Sequence, residues 1–193
     1  MKDFNRYIIS LICFLLYFAV FINISIQENS ENFVLYNTSS TVFTIQYPSN
    51  WHVSERLNVN QTNDLNLPVE FITPFEGPSD LIQEIFIVNS IPLPANTTLD
   101  SYVNKALNQF NTTYTDFKLI SLNSTTQDNI YNATNLTYSY LAGTEKMNIK
   151  LIMNHYIILF KENIYVLTFG TQPNKYYDFL PTIQQMTASF RIK

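Results

Sequence analysis

Between residues 147 and 170 the apolar positions set the terms for the rest of the chain. Met147, Ile149, Leu151 and Met153 alternate with Asn148, Lys150, Ile152 and Asn154, the period of a half-buried strand. From Tyr156 to Phe160 the alternation fills in, so both faces become apolar. Lys161-Glu162-Asn163 interrupts, and Asn is the residue expected to take the left-handed turn conformation. Ile164 to Phe169 returns as a second strand, again apolar on both faces. An apolar face left in water forfeits roughly 25 cal/mol per Å², so this hairpin demands cover on two sides.

The other segments supply a sheet and its cover. Strands are expected at Phe33–Tyr36, Thr41–Tyr47, His52–Asn60, Pro68–Phe75, Leu81–Ile91, Asp116–Leu122 and Ile130–Leu141. Pro48 should end the second of these, and Trp51, the only tryptophan, should fold back to plug the core. In the last of them Leu136, Tyr138 and Tyr140 alternate with Asn135, Thr137 and Ser139, which predicts one wet face. Leu99, Tyr102, Val103, Ala106, Leu107 and Phe110 form one helical face, with Thr97 and Asp100 placed as a capping pair. A closing helix carries Tyr176, Tyr177, Leu180, Ile183, Met186 and Phe190, and Pro181 within it should kink or split it.

Tyr7 to Ile26 has no charge and as a helix would be about 30 Å long, enough to cross a bilayer. Lys2 and Arg6 precede it, while Glu28 and Glu31 follow, so the N-terminus is expected in the cytoplasm and the remainder outside. The organisation expected is a signal anchor or signal peptide (1–26), a polar spacer (27–32) and one domain (33–193). An uncleaved anchor would leave the domain membrane-bound; cleavage would secrete it.

Composition narrows the chemistry. The single cysteine, Cys13, falls inside the apolar run, so the expected domain has no thiol for a disulfide, a metal or nucleophilic catalysis. Its three glycines are scattered, which argues against phosphate-cradling loops. Setting aside Lys2, Arg6 and Asp3 leaves 9 basic and 14 acidic residues, a net charge of −5, so nucleic acid is not an expected partner.

Asn-x-Ser/Thr occurs at Asn23, Asn37, Asn60, Asn96, Asn111, Asn123, Asn132 and Asn135, about twice the frequency that chance composition gives. Asn23 lies too near the membrane; the other seven are glycosylation candidates, and Asn135 on the wet face is a favoured one. His52 and His155 are the only histidines, and both would have to converge to make a cysteine-free zinc site. A core or sheet-edge role suits His155 better. Glu70, Glu76, Asp80 and Glu84 offer oxygen ligands for calcium, but without the alternating spacing of a dedicated loop. No G-x-S-x-G or H-E-x-x-H occurs.

Several stretches in order resemble the PsbP family, the extrinsic lumenal proteins of photosystem II and their wider relatives. They are Phe43-Thr-Ile-Gln-Tyr-Pro-Ser-Asn-Trp51, with Tyr47, Pro48 and Trp51 as its structural markers; Ser79-Asp80 into the strand reaching Val88; and Thr98-Leu-Asp-Ser-Tyr-Val103. His155–Phe160, Ile164-Tyr-Val-Leu, Tyr176-Tyr-Asp-Phe and Ala188-Ser-Phe190 complete the pattern. The resemblance implies an α+β fold, an α/β/α sandwich with a central antiparallel sheet flanked by helices. It also implies a non-catalytic role docked on a membrane complex, and in the photosynthetic members the retention of calcium and chloride. The function expected is therefore a membrane-tethered, extracytoplasmic binding module for a protein or surface component. The alternative is an extracytoplasmic enzyme of hydrolase type, its site assembled from scattered carboxylates, tyrosines and a histidine.

Overall fold

The structure is a computed structural model that describes residues 32–39, 41–55, 68–77, 82–127, 131–144 and 147–193. Residues 7–26, Asn60 and Asp80 lie outside them, and so do the expected anchor and spacer up to residue 31. Among the described residues no helix is long and apolar enough to cross a membrane.

The long hairpin forms as its pattern requires. β8 (Met147–Phe160) pairs antiparallel with β9 (Asn163–Thr171), from Phe160 opposite Asn163 to Ile152 opposite Thr171. The turn differs from expectation. Lys161 holds the left-handed conformation at φ 55°, and Asn163 already belongs to the strand. The Lys161 ammonium lies 5.0 Å from the centre of the Phe160 ring, a cation–π contact available to lysine but not to asparagine.

Around this hairpin runs an antiparallel seven-stranded sheet. Its members are β3 (His52–Glu55), β4 (Val69–Ile72), β5 (Ile85–Pro92), β6 (Thr115–Gln127) and β7 (Tyr131–Thr144) with β8 and β9, in the order β3-β4-β5-β9-β8-β7-β6. Both faces of the hairpin are covered. On one face Val103 of helix α1 (Leu99–Thr113) packs in a cluster with Leu136, Tyr138, Ile157, Ile164 and Val166. On the other face Ile158, Leu167 and Phe169 join Ile183 and Met186 of helix α2 (Tyr176–Ser189).

The expected single sheet between two helical layers is incomplete. β1 (Phe33–Tyr36) and β2 (Phe43–Pro48) stay out of the central sheet and join β10 (Arg191–Ile192) in a second, three-stranded sheet with β2 in the middle. Phe43 and Ile45 of β2 enter the same core as α2. Tyr36 ties this sheet to the edge of the large one by donating to Glu55 Oε1 at 2.7 Å, and burial beside that carboxylate pushes its hydroxyl up to about 12. Trp51 turns back as expected, its N–H donating to the Pro48 carbonyl and its ring meeting Phe179 edge-on.

Both helices correct details of the sequence reading. The cap of α1 is Thr98 with Ser101, each side chain accepting from the other's backbone N–H, and not Thr97 with Asp100. Helix α2 runs on through Pro181 without splitting. The carbonyl that Pro181 leaves without a donor is that of Tyr177, an exposed residue, where water can replace the missing bond.

Candidate functional site

The expected wet face of β7 is not open to bulk water. Thr137 is 6% exposed and Ser139 4% exposed, because α2 crosses above this end of the sheet. Alternation marked the face as polar but did not reveal what covered it. Between helix and strands remains a cleft of about 490 Å³. Its floor carries Asn135 and Thr137 of β7 with Asn154 and Tyr156 of β8, and Gln184 and Tyr176 of α2 contribute to its wall. Asn154 Nδ2 donates to Asn135 Oδ1 at 2.8 Å and to Thr137 Oγ1 at 2.9 Å, which locks the floor into one arrangement. Among the described residues of the lining there is no aspartate, glutamate, lysine, arginine or histidine.

A second, more open recess of about 930 Å³ lies where the chain enters α1, beside the ends of β6 and β7. Thr97, Thr98, Ser124, Thr126 and Asn132 line it, with Asp100 as the only charged side chain among the described lining residues. Apart from Asp100, the described polar side chains of both spaces are hydroxyls and amides, set among apolar ones.

The histidines do not converge. His52 is exposed on the edge strand β3, four strands away from β8 and so about 19 Å across the sheet from His155. His155 lies under α1, on the face opposite the cleft. Its Nε2 is 3.1 Å from the Tyr138 hydroxyl and its ring meets Phe110 edge-on. Burial lowers its pKa to about 4, and pushes the Tyr138 hydroxyl well above the usual phenol range. A half-buried imidazole packed among aromatic rings and bonded to Tyr138 has a structural role.

The acidic residues weighed for calcium form another arrangement. Glu84 has no solvent exposure; its Oε1 accepts from the Thr171 hydroxyl at 3.0 Å and lies 3.4 Å from Lys175 Nζ. The same ammonium meets Glu76 Oε2 at 2.9 Å. A lysine thus stands where these two carboxylates would hold a cation, so they do not fit calcium. Among the described residues no three His, Cys, Asp or Glu side chains gather as a metal site.

Of the glycosylation candidates, Asn37, Asn96, Asn111, Asn123 and Asn132 are exposed. Asn135 is half-buried in the cleft with its amide oxygen engaged by Asn154, which removes the reason for favouring it. Tyr47, Pro48 and Trp51 are structural: Tyr47 packs on Phe71 at 4.9 Å between ring centres, and Pro48 closes β2 opposite Phe33. The residues that sequence reasoning missed are Asn154 and Gln184. Asn154 interrupts the apolar run of β8 and was the one available signal.

No protein-family model and no curated protein sequence matches the chain. Solved structures do. Cyanobacterial PsbP (CyanoP) from Synechocystis sp. PCC 6803 superimposes with a TM-score of 0.59 at 16% identity, covering 86% of this chain and 96% of that one. The protein PA94 from Pseudomonas aeruginosa gives 0.59 at 15% identity, over 84% and 98% of the two chains. The Ran-binding protein Mog1p of Saccharomyces cerevisiae gives 0.57 at 12% identity, over 84% and 96%. At these identities the likeness is one of architecture: this chain has a PsbP-like fold, a mixed α/β structure of antiparallel sheets with two helices among the described residues.

Proposed function

We infer that the protein is a non-catalytic binding module, held at a membrane by residues 7–26 with its domain outside the cytoplasm, and docking on a membrane complex or surface component. The observation carrying this reading is that the described residues lining the cleft carry no charged side chain, and those lining the recess beside α1 carry only that of Asp100. Catalysis of group transfer needs a positioned acid, base or nucleophile. Here the only histidine near the middle of the sheet is on the opposite face from the cleft, and the buried carboxylate of Glu84 is held by Lys175 and Thr171. That Mog1p is a Ran-binding protein gives this fold one member with a protein partner. The run from Tyr7 to Ile26 and the charges flanking it support the tether.

Crosslinking the full chain in its native membrane, then purifying it, tests the docking role. Repeated recovery of the same protein or surface component is expected, and recovery of the chain alone in every preparation would overturn it. The tether predicts that a high-pH wash leaves the protein in the membrane; a reporter after Lys193 found in the cytosol would reverse the orientation. Glycans at the exposed Asn37, Asn96, Asn111, Asn123 and Asn132 belong to the same reading, and an intact mass equal to the bare polypeptide would remove them.

A further inference from the structure

We propose that the cleft between α2 and the β7–β8 floor is a binding site for a neutral sugar, a mono- or disaccharide or the terminal unit of a glycan. This rests on the binding reading above and names the ligand class for one of its recesses.

The floor is the first argument. A sheet face beneath a helix is ordinarily apolar, and this one is apolar at Ala133, Ile158, Leu167 and Phe169. It turns polar where the cleft opens, at Asn135, Thr137 and Asn154, and stays polar beyond it at the buried Ser139. Burying amides without partners costs about 1–3 kcal/mol each, and this patch meets part of that demand internally while keeping hydrogen-bonding capacity for a guest. Asn154 is 8% exposed, yet its hydrogen bonds to Asn135 and Thr137 use only its nitrogen. Its Oδ1 remains an acceptor, and Asn135 Nδ2 remains a donor. Vicinal hydroxyls of a sugar each donate and accept, and such a neighbouring pair answers both demands.

The walls are the second argument. Tyr156 and Tyr176 bring aromatic rings, and Leu180, Ile183 and Ala188 aliphatic surface, to a space whose polar side chains are hydroxyls and amides, with Gln184 adding an amide from the helix. Sugar rings have an apolar C–H face as well as a hydroxyl rim, so they match both components. The charge-free set of described lining residues disfavours other classes. Against those residues a phosphate or carboxylate would lose its hydration with no counter-charge, and a wholly apolar guest would strand the amides. The volume, about 490 Å³, falls in the range of small-molecule sites.

The test uses the purified full chain in detergent micelles, titrated with glucose, galactose, N-acetylglucosamine, maltose, cellobiose and N,N′-diacetylchitobiose. Saturation-transfer NMR and calorimetry read binding, with inorganic phosphate and glucuronate as charged comparators. We expect saturable binding of at least one neutral sugar, weakened about tenfold or more by Asn154→Leu and by Gln184→Ala. Gln184 is exposed on α2, so its variant reports on the ligand even if Asn154→Leu disturbs the core. Asp100→Asn, in the other recess, should leave affinity unchanged. Failure of every neutral sugar overturns the proposal, as does stronger binding of phosphate or glucuronate, or sensitivity to Asp100→Asn alone. If sugars fail while crosslinking still recovers a partner, only the ligand class falls. A sugar that is bound and turned over would instead overturn the non-catalytic reading.

Discussion

The carboxylate of Glu84, fully enclosed, faces the ammonium of Lys175 at 3.4 Å, with the Thr171 hydroxyl donating to it at 3.0 Å and the Thr73 hydroxyl at 3.4 Å. The Glu84 backbone also pairs with Thr73, its carbonyl accepting from that residue's N–H and its own N–H donating to Thr73 Oγ1. The group pins the entry of β5, the end of β9 and the start of α2 to one another.

Removing the cation alone should be worse than removing both charges. Lys175→Met leaves an enclosed carboxylate without its counter-ion and should cost about 2–4 kcal/mol. The double variant Glu84→Gln/Lys175→Met should recover at least half of that loss. Urea unfolding of the four proteins in the cycle checks it, and a double variant as unstable as Lys175→Met would contradict the account.

His155 makes stability depend on pH. Its folded pKa of about 4 lies below the unfolded value of about 6.5, so the imidazole stabilises the fold fully above pH 6.5. Between pH 6.5 and 4 the unfolded chain takes up a proton that the folded chain refuses. Stability should therefore fall over that window, by about 3 kcal/mol from this group. His155→Phe loses the bond to Tyr138 and is less stable at pH 7, but its urea midpoint should drop less between pH 7 and pH 4.5. Equal drops in the two proteins would refute the assignment.

Gly170 and Met153 should behave as a coupled pair. They lie opposite each other across β9 and β8, and a methyl group at residue 170 would come within 2.8 Å of Met153 Sδ and 3.0 Å of its Cε. The clash is with the end of a flexible side chain, so Gly170→Ala should cost only about 1 kcal/mol. Gly170→Val should cost more. In the background of Met153→Ala the Gly170→Ala penalty should vanish or change sign, which thermal unfolding can measure.

Pro181 offers a stabilising change. It sits on the exposed side of α2, where its ring denies the Tyr177 carbonyl a helical donor. Pro181→Ala restores that donor and should raise stability by about 1 kcal/mol, less than a free helix would gain because folding already tolerates the proline. A fall in the thermal midpoint would show instead that α2 depends on the proline's fixed geometry.

Elements were legible in the sequence where local pattern and final burial agree. Ile158 and Leu167 against Ile157 and Val166 declare two buried faces, and the two-sided cover follows from that alone. The cap of α1 was off by one residue because Thr97 and Thr98 are chemically alike, and only the reach of Ser101 separates them. The second sheet was not legible. β10 has two residues and no pattern of its own, and it exists because Phe190 is drawn into the core beside Phe43. The cleft was half legible: alternation in β7 marks Asn135 and Thr137 as polar, but whether a polar face meets open water or an enclosed space is decided by α2, which follows two strands later.

The central position of β2 fixes when the domain can be completed. Phe43 and Thr44 find their partners only at Ile192 and Arg191, and Phe190 packs on both Phe43 and Tyr165. A chain emerging from a ribosome or a translocon therefore holds its earliest strands in waiting until almost everything else has arrived. Such long-range closure slows folding and leaves apolar β2 exposed to chance partners meanwhile. Loss of only the stretch from Phe190 onward should leave a chain that collapses yet cannot seal.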